Sequence, residues 1–60
     1  MTRADFVRGA VKTRDAYKCG RIAEFYSGTC GLNYDETFKK VHRITGIERS
    51  EWEELLYDAE

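Results

Sequence analysis

Proline is absent from this chain, so its punctuation falls to five glycines, a pattern that fits helices broken at glycine rather than at proline. Cysteine occurs only twice, too few for a disulfide-rich secreted scaffold. No apolar run approaches the roughly 20 residues that a helix needs to span a bilayer. The opening MTRADFVRGAV is broken by charges before an apolar signal segment can form. The expected location is therefore the cytoplasm of the producing or host cell. A strong net charge is missing too: the balance is −1, with 42% apolar and 13% aromatic residues, which is a globular rather than a disordered composition. With 60 residues the chain makes one domain, residues 1–60. A domain of that size buries only roughly 60% of its unfolded surface, so an added staple or a second copy would help it.

Motifs for chemistry are as scarce. Cys19, Cys30 and His42 are the soft metal ligands, spaced by ten and eleven residues, without the close pairs and the fourth ligand of a structural zinc site. A thiol and a histidine could in principle form a nucleophilic pair, but it would need an orienting group and oxyanion donors inside a pocket. A chain this short can hardly enclose one. The carboxylates near the end of the chain line one short helix, whereas a glycosidase pair faces across a cleft. SGTCG lacks the lysine and spacing of a phosphate loop. These absences lead to the expectation of no enzyme, no cofactor and no metal. A Cys19–Cys30 bridge would tie the end of the first helix to the next loop; in a reducing compartment the two are expected to be incidental thiols.

What is present reads as three or four helices. Thr2, with Asp5 three residues on, resembles a capping box. After it Phe6, Val7, Ala10, Val11 and Tyr17 share one side of a helix, opposite Arg8, Lys12, Asp15 and Ala16. Arg14 falls within the apolar side, so it must snorkel or the helix must bend there. Gly20 is a candidate stop, followed by a turn-rich helix from about Arg21 to Ser27, either separate from the first or continuous with it, and by the loop SGTCGLN. Asn33 with Glu36 predicts the next cap, and Tyr34, Phe38, Val41 and Ile44 the stripe behind it. Gly46 predicts a left-handed stop with Ile47 closing over it. Ser50 with Glu53 repeats the capping spacing, and Trp52, Leu55, Leu56 and Ala59 face inward on a helix starting near Glu51. The fold class is all-α, a small helical bundle.

Charge divides along the chain. Residues 1–21 hold Arg3, Arg8, Lys12, Arg14, Lys18 and Arg21 against Asp5 and Asp15, a net of +4. Residues 22–47 balance. Residues 48–60 hold Arg49 against six carboxylates, a net of −5. The last two helices, joined through Gly46, have the outline of a helix-turn-helix. Its second helix would lead Glu51, Glu53 and Glu54 into the phosphate-lined major groove, so it is expected not to read DNA.

Two functional expectations follow. The first is a non-enzymatic protein-binding module, an inhibitor, adaptor or regulator, whose partner-binding residues are Tyr57, Glu53, Glu54, Asp58 and Glu60. Tyr57 lies off the inward arc, among carboxylates that the negative end of a helix disfavours by several tenths of a kcal/mol. A large aromatic there suits an interface. The alternative is nucleic-acid contact by Arg3, Arg8, Lys12, Arg14, Lys18 and Arg21, whose charges surround the first helix rather than forming a stripe. Self-association is also expected, through pairing of the basic and acidic ends between chains. In size, charge division and lack of a catalytic motif, the chain resembles in a general way the small inhibitor and adaptor proteins that many phages encode.

Overall fold

The computed structural model describes residues 2–59, the side chain of Ala59 excepted. Within them are four helices and no strand: α1 Arg3–Lys12, α2 Ala16–Glu24, α3 Tyr34–Thr45 and α4 Arg49–Ala59. A π-helical turn, Phe25–Thr29, continues α2. The helices touch in a closed ring, α1 on α2, α2 on α4, α4 on α3 and α3 on α1.

Two of the three predicted capping boxes form. The Thr2 hydroxyl accepts from the Asp5 N–H at 3.2 Å, and the Asp5 carboxylate accepts from the Thr2 N–H at 3.3 Å. That second bond, ahead of the charge on Arg8, holds the Asp5 carboxyl below the usual carboxylate range. At α3 the Asn33 side chain accepts from the Glu36 N–H at 2.8 Å, and Glu36 answers at 3.1 Å. Gly46 ends α3 with φ 74°, a left-handed value that a side chain would strain, and Ile47 packs into the core beyond it.

The first helix differs from its expected course. It does not run to Gly20 but ends at Lys12, because continuing would carry Arg14 into the core. Instead Arg14 takes φ 52°, a left-handed conformation costing about 1 kcal/mol, and its guanidinium reaches outward to Glu51 at 3.1 Å. Asp15, expected on an outer helical face, starts α2 as its cap, accepting from the Lys18 N–H at 3.1 Å. The break resets the helical phase, so Tyr17 leaves the predicted apolar side and is exposed. Gly20 stops nothing. It lies inside α2 at a helical φ, with the buried stripe Cys19, Ile22 and Tyr26 running past it. Burial of that stripe outweighs the roughly 1 kcal/mol by which glycine disfavours a helix.

Other boundaries shift by less. Gly28 and Thr29 belong to the π turn, closed by the Cys30 N–H to the Phe25 carbonyl at 3.1 Å, which leaves Cys30–Asn33 as the loop. Ser50 is the second residue of α4 rather than its cap, and the Glu53 carboxylate turns to Arg49 instead. The helix starts early because the Trp52 N–H already bonds to the Glu48 carbonyl. Phe6 and Tyr34, predicted in apolar stripes, are partly open to solvent at the stripe edges, Tyr34 under the Arg49 guanidinium.

The core holds Val7 and Ala10 of α1, Cys19, Ile22 and Tyr26 along α2 and its extension, Val41 of α3, Ile47, and Trp52 and Leu55 of α4. Leu56 is half-buried beside them, while the predicted inward placement of the Ala59 side chain lies outside the described residues. Two buried polar atoms, Thr37 Oγ1 and Trp52 Nε1, have no hydrogen-bond partner among the described residues. A desolvated hydroxyl left unbonded costs about 1–3 kcal/mol. Thr37→Val, which keeps the shape and removes that hydroxyl, is therefore expected to stabilise the protein by about 1 kcal/mol, raising the melting temperature by roughly 4–8 °C in a domain of this size. A lower melting temperature in thermal denaturation would show that the hydroxyl is satisfied.

Candidate protein-binding surfaces

The outer face of α4 carries most of the residues expected to bind a partner. Trp52 and Leu55 turn into the core, which fixes the rotation of the helix and leaves Glu53, Glu54, Tyr57 and Asp58 exposed. Tyr57 is 78% exposed, the most open large hydrophobic side chain among the described residues. Glu60 lies outside the described residues.

The carboxylates of α4 are not equivalent. Glu51 is paired with Arg14, and Glu53 with Arg49 at 3.2 Å. Arg49 also bonds to Asp35 at 2.6 Å and lies over the rings of Tyr34 and Phe38. It thereby ties the start of α3 to the start of α4, and the Asp35 carboxylate raises its basicity further. Glu54 and Asp58 have no ion-pair partner among the described residues. With Tyr57 they sit at i, i+3 and i+4, the spacing of neighbours on one helical surface. The candidate patch thus narrows to Glu54, Tyr57 and Asp58.

A second surface lies away from α4, where two grooves adjoin. The first, about 650 Å³, runs between α1 and α2; Phe6, Tyr17, Ile22 and Phe25 line it, with Arg3, Lys18 and Arg21 at its rim. The second, about 510 Å³, shares Arg3 and Tyr26 with the first and adds Cys30, Lys40 and Arg43. No α4 residue lines either groove. Arg3 lies over the Phe25 ring at 4.1 Å, Lys18 over Phe6 at 5.9 Å and Arg21 over Tyr17 at 6.0 Å. The Arg21 guanidinium also donates to the Tyr17 hydroxyl at 3.2 Å. Among the described residues none of the five cations Arg3, Lys18, Arg21, Lys40 and Arg43 forms an ion pair.

The six basic residues of the first segment are therefore divided. Arg3, Lys18 and Arg21 share the groove, Arg8 is paired with Asp5 at 3.3 Å, Arg14 with Glu51, and Lys12 closes the last turn of α1. Lys40 and Arg43 join the basic face although their segment is neutral as a whole. Their spacing of three beside Ile44, on the stripe edge of α3, was the signal in the sequence for that.

The cysteines and His42 are not brought together as a ligand set, and no group of three or more His, Cys, Asp or Glu side chains suited to a metal occurs among the described residues. His42 is exposed, with Nδ1 2.9 Å from the Ile47 carbonyl and its ring against Phe38. Cys19 is buried and Cys30 exposed, both as free thiols; burial, and then the charge of Asp15, pushes the Cys19 thiol up. Alkylation of the folded protein is accordingly expected to modify Cys30 and spare Cys19 until denaturant is added. A thiol reductant should leave the melting temperature unchanged. A mass two protons below that of the reduced chain, or a reductant-sensitive melt, would instead show a bridge. In comparison with known proteins, the chain matches no family model, no curated protein sequence and no solved structure.

Proposed function

We propose that this chain is a non-enzymatic helical module that works by binding a protein partner, as an inhibitor, adaptor or regulator in the cytoplasm of the producing or host cell. The observation that carries this reading is the exposure of Tyr57 between Glu54 and Asp58, on a helix whose other face is anchored in the core. Tyrosine is enriched at protein interfaces, where its ring supplies much of the contact area and its hydroxyl a polar tip. Asp58 lies near the negative end of α4, where a carboxylate is disfavoured by several tenths of a kcal/mol. A basic partner surface relieves that. No helix of the described residues is long and apolar enough to cross a membrane.

A second reading, nucleic-acid binding, draws on the five cations that line the adjoining grooves with no ion pair among the described residues. Its signature is affinity for an oligonucleotide that falls steeply with salt, with a slope of about 0.9 per phosphate contacted.

Tyr57→Ala and Leu55→Ala separate surface from core. Tyr57→Ala is expected to melt within about 0.5 kcal/mol of the parent and to lose the partner recovered by the parent protein from host lysate. Leu55→Ala is expected to lose about 2–5 kcal/mol of stability. If the two variants melt equally early, Tyr57 is a packing residue and this surface is not the binding site.

A further inference from the structure

The basic groove and the acidic patch are each exposed, each without an ion-pair partner among the described residues, and carried by different helices. Tyr57 is 78% exposed and no α4 residue lines the groove, so the two surfaces do not meet within one chain. Their chemistry is complementary. The patch offers one aromatic ring flanked by the carboxylates of Glu54 and Asp58, one turn apart. The groove offers an apolar floor that includes Val7 and Ile22, flanked by Arg3, Lys18 and Arg21.

We propose that the groove between α1 and α2 receives the Glu54–Tyr57–Asp58 patch of a second copy of this chain. The inference rests on the reading of that patch as a protein-binding surface, and it names one occupant for the groove. In this arrangement the Tyr57 ring enters between Phe6, Tyr17 and Phe25. The groove, about 650 Å³, is open to solvent. Glu54 and Asp58 meet the cations at the rim, and a guanidinium pairs well with a carboxylate because its N–H groups form a planar fork.

A nucleic acid is the competing occupant of this groove. Bases stack on aromatic faces, and Arg3, Lys18 and Arg21 lie 4.1, 5.9 and 6.0 Å from the centroids of the Phe25, Phe6 and Tyr17 rings. Stacking of Arg3 on the Phe25 ring leaves the N–H edges of its guanidinium for carboxylates. The acidic match is on the chain itself.

The contact joins two different patches, so it is head-to-tail, and a pair of copies keeps an unused groove at one end and an unused patch at the other. Assembly is then concentration-dependent, weakens with salt, and continues past the dimer unless the ring closes.

The test is sedimentation equilibrium on the full chain over a wide concentration range, with circular dichroism melts confirming that each variant is folded. Lys18→Glu/Arg21→Glu removes the groove, and Tyr57→Ala removes the patch. The parent is expected to rise above the 7.0 kDa monomer mass with concentration. Each variant alone is expected to associate at least tenfold more weakly. An equimolar mixture of the two should recover association and stop at twice the monomer mass, because it contains one intact groove and one intact patch. A parent that stays monomeric throughout, or a mixture that associates no better than its components, would overturn the proposal. So would a monomeric parent that binds an oligonucleotide while the groove variant does not, which would assign the groove to nucleic acid. Loss of a lysate partner by Tyr57→Ala in a monomeric parent would leave the partner-binding reading standing and reject self-docking alone.

Discussion

Trp52, Val7, Val41 and Cys19 are the largest side chains buried without measurable exposure, and they come one from each helix. Their meeting is the constraint on which the other features rest. A domain of this size has little apolar area to spend on more than one core. Trp52 supplies the largest single share, and truncating a buried tryptophan typically costs about 3–5 kcal/mol. That is comparable with the whole stability of a small domain. Once Trp52 is inside, the rotation of α4 is set. Leu55 follows it inward, and Glu54, Tyr57 and Asp58 are left facing solvent.

The same economy explains the polarity of the molecule. Helices this short cannot bury charge, so their cations and carboxylates gather on outer faces. The pairs Arg14–Glu51 and Arg49–Asp35 fasten the start of α4 to the break between α1 and α2 and to the start of α3, and Arg49–Glu53 lies within α4. Each is exposed and contributes little stability. Their effect is selective: they neutralise the carboxylates at the start of α4 and leave those near its end without a partner among the described residues. Away from α4, residues of α1, α2 and α3 line apolar grooves that carry cations. What remains is a molecule with an acidic tyrosine-bearing patch and a basic aromatic groove.

Much of the fold was legible where local chemistry acts over three or four residues. Thr2 with Asp5, Asn33 with Glu36, and Gly46 with Ile47 are self-contained signals, and each forms in the structure. The break at Thr13–Asp15 was legible only as a conflict, the placement of Arg14 on an apolar face. Resolving it required the position of Glu51, which is distant in sequence. Gly20 misled because its helix is held by burial of Cys19, Ile22 and Tyr26, a tertiary effect that local propensity does not contain. Tyr57 was legible because helical phase alone places it away from Trp52 and Leu55. The groove was not, because Phe6, Tyr17 and Phe25 are gathered by the break between α1 and α2. Lys40 and Arg43 were hidden by counting charge along the chain instead of across its surface.

The central claim is that α4 is anchored by Trp52 in a core shared by all four helices, leaving its outer face free. Fluorescence of Trp52, the single tryptophan of the chain, reports on this most directly. The account predicts blue-shifted emission that a collisional quencher such as acrylamide barely reaches, and no change in either property when Tyr57 is replaced by alanine. Emission at the wavelength of free tryptophan, quenched as readily as the free amino acid in the folded protein, would contradict it.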